Sequence, residues 1–87
     1  MAFGKPHVSN ARLVMSVLGI LKMSGALPLN ELNLRSSGSP AQLTQELRRL
    51  MDAKLVDFDG ALPDPEAVPS ETKPVQLTLK GLRAAPL

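Results

Sequence analysis

Four side chains able to read base edges or hold phosphates fall close together at Gln42, Gln45, Arg48 and Arg49. A Gln amide both donates and accepts, as the edge of adenine requires, and an Arg fork matches guanine or a phosphate. Ala41, beside them, is small enough to allow close approach. Ser39 and the open amides of a first helical turn can meet a phosphate. Lys73 is a further cation able to touch a nucleic-acid backbone. A solvated polar helix face uses the same residue types, so the surrounding elements decide between the two readings.

Other chemistries are poorly supplied. The chain has no cysteine and a single histidine, His7. Thiolate metal sites and disulfides are therefore excluded, and imidazole ligands are too few for a metal sensor. No histidine is placed to activate one of the many serines, and no glycine-rich phosphate loop is present. Asp57, Asp59 and Asp64 do not follow the calcium-loop pattern. No catalytic residue, metal or cofactor is expected. With Phe3 and Phe58 as its only aromatics, the chain lacks stacking platforms for single strands.

Eighty-seven residues make one small domain, and 44% apolar against 21% charged residues describes a folded chain. No apolar run is long enough to span a bilayer, and the stretch Leu13 to Met23 has weak flanks for a signal peptide. The cytoplasm is the default location. The net charge is +2, but its spread is uneven. Residues 1–56 hold seven basic and three acidic side chains, net +4; residues 57–87 hold three and five, net −2. A basic first part suits a polyanion, and an acidic later part does not.

The elements that must position the polar cluster can be read from periodicity. Residues 1–8 read as a flexible arm. Ser9 or Asn10 can cap a helix to about Ser24, with Leu13, Val14, Val17, Leu18, Ile20 and Leu21 on one broad face and Gly25 as its stop. That arc is wider than a simple core-facing helix needs, so a second surface is expected to be buried there. After an extended link at Ala26–Leu29, a short helix reaches Ser36, anchored by Leu29, Leu32 and Leu34. Ser39, Pro40 and Gln42 form a capping box that opens a third helix to about Ala53. Its inner side carries Leu43, Leu47 and Leu50, with Lys54 at the frayed end, and the polar cluster takes the opposite side. Val56 to Asp59 alternates as a strand does, and Val75 to Leu79 reads as a second strand with Val75, Leu77 and Leu79 on one face. Residues 60–74 between them, with four prolines, are expected to pack little and to be mobile. Thr78 can cap a closing turn that reaches about Ala85.

This order predicts a mainly α fold with a small β-hairpin, an α+β class built of three helices and a two-stranded wing over residues 9–87. The run from Leu29 to Val56 is similar to prokaryotic winged helix-turn-helix regulators. Lys54 stands where a glycine is common before their Leu-Val, and Leu77-Thr78-Leu79-Lys80-Gly81 resembles the Leu-Thr-x-x-Gly that ends their wing. The resemblance implies a duplex-DNA-binding transcriptional regulator, with repression as the expected role and the third helix in the major groove.

Ser39, Ala41, Gln42, Gln45, Arg48, Arg49 and Lys73 are then the expected DNA contacts. A homodimer is expected through the N-terminal arm, the first helix and the closing segment Leu79 to Leu87, with Met15, Leu18, Gly19, Leu79 and Leu82 as its interface. The wing departs from the resemblance, because Asp57, Asp59, Asp64, Glu66 and Glu71 repel phosphate. Residues 60–74 are expected to point away from DNA or to serve a protein partner. A winged-helix protein-interaction module without DNA binding is the alternative.

Overall fold

Leu13, Val17, Leu18 and Leu21 recur at helical spacing and bury one side of α1 (Ala11–Ser24). Gly25, at φ +75°, ends that helix in left-handed geometry, and its N–H donates to the Leu21 carbonyl at 2.8 Å. The computed structural model describes residues 11–85. The expected arm 1–8, His7, the Ser9 or Asn10 cap and Leu87 lie outside them. The chain then runs through β1 (Leu27–Pro28), α2 (Leu29–Arg35), α3 (Pro40–Asp52) and β2 (Val56–Phe58). A single 3₁₀ helix (Pro65–Ser70), β3 (Pro74–Leu77) and α4 (Leu79–Ala84) follow. The result is a small, mostly helical α+β domain.

The expected two-stranded hairpin is instead a three-stranded antiparallel sheet in the order β1-β3-β2. The extended link after α1 supplies the additional strand, because Leu27 pairs with Val75 and Pro28 with Pro74. Proline survives there because β1 is an edge strand. On the other side Val56, Asp57 and Phe58 pair with Leu77, Gln76 and Val75. Val56, Phe58 and Val75 point into the core, with the leucines of α1, α2 and α3 behind them.

Residues 60–74 correct the expectation of a segment that packs little. Val68, on the 3₁₀ helix, is fully buried, and that helix lies against both α2 and α3. The reason is visible at the start of α2, where Pro28 precedes the helix and no side chain caps it. The open amides find the loop instead: Leu29 N–H donates to the Lys73 carbonyl at 2.9 Å and Asn30 N–H to the Glu71 carbonyl at 2.8 Å. Val68, the half-buried Leu62 and two backbone bonds hold a segment whose composition alone gives little reason to pack.

Three further expectations change. Leu34 does not anchor α2 but is 77% exposed. β3 ends at Leu77, so Leu79 starts α4 and is exposed rather than sharing a strand face with Val75 and Leu77. Lys54 also leaves the inner row of α3, since its φ of +66° takes it out of the helix.

The junction of α3, β2 and α4 explains both the Lys54 conformation and the Leu77–Gly81 motif. The Thr78 hydroxyl donates to the Lys54 carbonyl at 2.6 Å and accepts from Gly81 N–H at 3.0 Å, while Thr78 N–H donates to the Leu55 carbonyl at 3.0 Å. Gly81 is needed because a Cβ there would overlap the Leu55 carbonyl oxygen. Lys80 Nζ closes the junction by donating to the Ala53 carbonyl at 3.1 Å. The chain must turn back sharply after α3 to reach β2, which is why a left-handed residue stands at 54.

Candidate nucleic-acid interface

Ser39, Pro40 and Gln42 open α3 as the capping box expected of them. Ser39 Oγ accepts from Gln42 N–H at 3.2 Å, and Ser39 N–H donates to Gln42 Oε1 at 2.9 Å. This fixes the start of the helix, and it also engages the Gln42 carboxamide oxygen. Gln42 therefore cannot present its donor and acceptor together to an adenine without breaking the cap. Its Nε2 is still available to donate. The Ser39 hydroxyl only accepts in the same box, so its own proton can still be donated to a phosphate.

Helix periodicity divides the rest of α3 cleanly. Leu43, Leu47 and Leu50 turn inward, with Thr44 and Glu46 also buried. The Thr44 hydroxyl is satisfied by donating to the Ala41 carbonyl at 3.0 Å. Ala41, Gln42, Gln45, Arg48, Arg49 and Asp52 are all exposed. Ala41, Gln45, Arg48 and Asp52 follow at spacings of three and four, so they form one row along the helix. At about 1.5 Å rise per residue the row is about 16 Å long. It starts with the smallest side chain, passes an amide and a guanidinium, and ends on a carboxylate. Arg48 makes no ion pair or hydrogen bond among the described residues. Arg49 and Gln42 flank the row on one side.

Lys73 belongs to a different part of the fold. Its side chain is exposed, but its backbone is tied between α2 and β3: the carbonyl accepts from Leu29 and the N–H donates to Glu71 Oε2 at 3.1 Å. Asp57, Asp59, Asp64 and Glu66 are exposed along the same segment, and Glu71 is half-buried. Among the described residues no group of acidic or histidine side chains is arranged to hold a metal ion, and no helix is long and apolar enough to cross a membrane.

The expected dimer residues separate into two kinds. Met15, Leu79 and Leu82 are exposed and Gly19 is half-buried. Leu18 is only 3% exposed and packs among Leu13, Val17 and Leu21, so its side chain is committed to the chain's own core. The 100° arithmetic puts Leu18 at the margin of the apolar arc, where sequence alone does not separate an inner from an outer position. Lys54 escaped notice as a surface cation for a related reason: it continues the inner row by spacing, although its place in a glycine position signalled that the helix had ended. The chain matches no protein-family model, no curated protein and no solved structure.

Proposed function

We propose that this chain binds duplex DNA by laying the exposed face of α3 in the major groove. The observation that supports it most is the outward row Ala41, Gln45 and Arg48, with Arg49 beside it, on a helix whose opening turn is fixed by a complete capping box. Ala41 lets the helix approach, Gln45 reads a base edge, and Arg48 reads guanine or holds a phosphate. Arg49 and the Gln42 amide hydrogens add positioning contacts, and Lys73 is a contact from outside α3. The order α2, a turn at residues 36–39, α3 and then β2 and β3 is consistent with a winged-helix reading, although β1 adds a third strand to the sheet. The role proposed for such a reader is that of a transcriptional regulator acting as a repressor.

The test is a mobility shift with random-sequence duplex at two salt concentrations, followed by selection of preferred sites. Binding should weaken steeply with salt, because each neutralised phosphate releases counterions. Absence of binding at low salt sinks the proposal. A second reading, a protein-interaction module, is favoured by the exposed carboxylates of residues 57–66, which bring negative charge to a segment lying against α3.

A further inference from the structure

A second surface of the molecule is apolar and takes no part in the α3 face. The end of α1, β3 and α4 enclose an open groove of about 290 Å³. Leu21 and Leu77 form its apolar lining, and Leu79 and Leu82 stand at its wall, 67% and 45% exposed. Their exposure is imposed by the fold. Gly81 faces the Leu55 carbonyl and Thr78 caps α4, so the opposite face of this short helix must carry Leu79, Leu82 and Arg83 outward. The Lys80 bond to Ala53 further fixes its rotation. The two leucines cannot turn inward without losing that junction. Apolar side chains held in the open beside a groove mark an interaction surface.

Charge decides what covers it. α1 and α4 carry Arg12, Lys22, Lys80 and Arg83 and no carboxylate. Every acidic residue of the chain lies between 31 and 71. In a two-fold dimer the same patch meets itself, so Lys22 in the groove lining and the exposed Arg83 on α4 would be brought toward their own copies. Residues 1–10 contain Lys5 and no acid, so they offer no complementary charge either. The groove volume lies near the low end for binding clefts, which run about 300–1,000 Å³. It suits one peptide segment better than the roughly 800 Å² per partner of a standard protein interface.

We propose that this groove binds a short acidic segment of a partner protein. Two apolar side chains of that segment lie against Leu79 and Leu82, and its carboxylates face Lys22 and Arg83. This inference does not depend on the DNA reading, since α3 contributes no residue to the groove.

The experiment is fluorescence anisotropy of the full chain with a labelled peptide bearing two leucines one helical turn apart among Glu and Asp. The control peptide replaces each acid with its amide. Saturable binding of the acidic peptide is expected, with Leu82→Asp weakening it by about tenfold or more. Lys22→Glu and Arg83→Glu should each weaken it several-fold, and added salt should do the same. Leu82 is exposed enough for the Asp variant to keep its helical circular dichroism and its urea midpoint. No binding of the acidic peptide, or equal binding by Leu82→Asp, overturns the proposal. So does a sedimentation profile showing a dimer that Leu82→Asp dissociates, which would assign the groove to a second copy.

Discussion

Helix α3, whose exposed face carries Arg48, Arg49 and Asp52, and the net acidic segment between β2 and β3 lie against each other, yet they place their charges for different physical reasons. In α3 the polar row is produced by the helix itself: once Leu43, Leu47 and Leu50 turn inward, Gln45 and Arg48 must turn outward. In the segment nothing periodic places the carboxylates. It is held by Val68 and Leu62 and by the carbonyls of Glu71 and Lys73 at the start of α2, and Asp59, Asp64 and Glu66 are left in solvent. The difference separates a surface whose presentation is fixed by periodic geometry from one placed by a few anchors. Changes on the two sides of α3 should therefore divide stability from binding, whereas changes to the segment should act through its anchors.

The largest expected effect is on the inner side of α3. Leu47→Ala should lower the unfolding free energy by about 2–5 kcal/mol, measured by urea denaturation, because it truncates a fully buried side chain. Arg48→Ala in the same assay should stay within about 0.5 kcal/mol of the parent chain, as exposed substitutions do. Equal losses in the two variants would erase the division between the faces. Next comes Val68→Ala, with an expected loss of about 2 kcal/mol for two buried methyl groups and the space they leave. A silent Val68→Ala would mean that residues 60–74 contribute no packing in solution.

How much of this was legible in the sequence follows the same contrast. The capping box at Ser39, the inward leucines of α3 and the Thr78 cap depend on neighbours within a few residues, so local pattern locates them. β1 was not legible, because Leu27-Pro28 has no strand pattern of its own and becomes one only by pairing with Pro74 and Val75. The docking of residues 60–74 was hidden for a similar reason. Its partners are backbone amides of α2, some forty residues earlier, and prolines and acids read locally as an open loop. Within the candidate site, the exposed row was legible, but the competition at Gln42 was not drawn from the same box that predicted it. One carboxamide oxygen was asked both to close a cap and to read a base.

That competition ranks the α3 side chains as DNA contacts. Arg48→Ala should weaken duplex binding by about tenfold, or roughly 1.4 kcal/mol, in a salt-controlled mobility shift. Gln45→Ala should relax base preference at one position of selected sites. Gln42→Ala should act mostly through the cap, lowering stability by up to about 1 kcal/mol with little change in base preference. If Gln42→Ala changes the selected sequence while Gln45→Ala does not, the capping box opens on DNA and the order of the two amides reverses.

The smallest effect concerns the turn that leads from α3 to β2. Lys54 holds φ +66°, where a side chain costs roughly 1–2 kcal/mol that glycine does not bear. Glycine also gives up more freedom on folding, which removes part of the gain. Lys54→Gly should therefore raise stability by about 0.5–1 kcal/mol, visible as a higher urea midpoint with an unchanged slope. Its carbonyl bond to Thr78 comes from the backbone and survives the change. Lys54 also lies past the C-terminal end of α3, whereas the residues nearest the bases belong to the first turns. DNA affinity should then stay within about twofold and the salt slope should not fall by one phosphate. A stabilised Lys54→Gly chain whose salt slope does drop by about one would add a phosphate contact at the far end of α3 and lengthen the interface beyond the row that ends at Asp52.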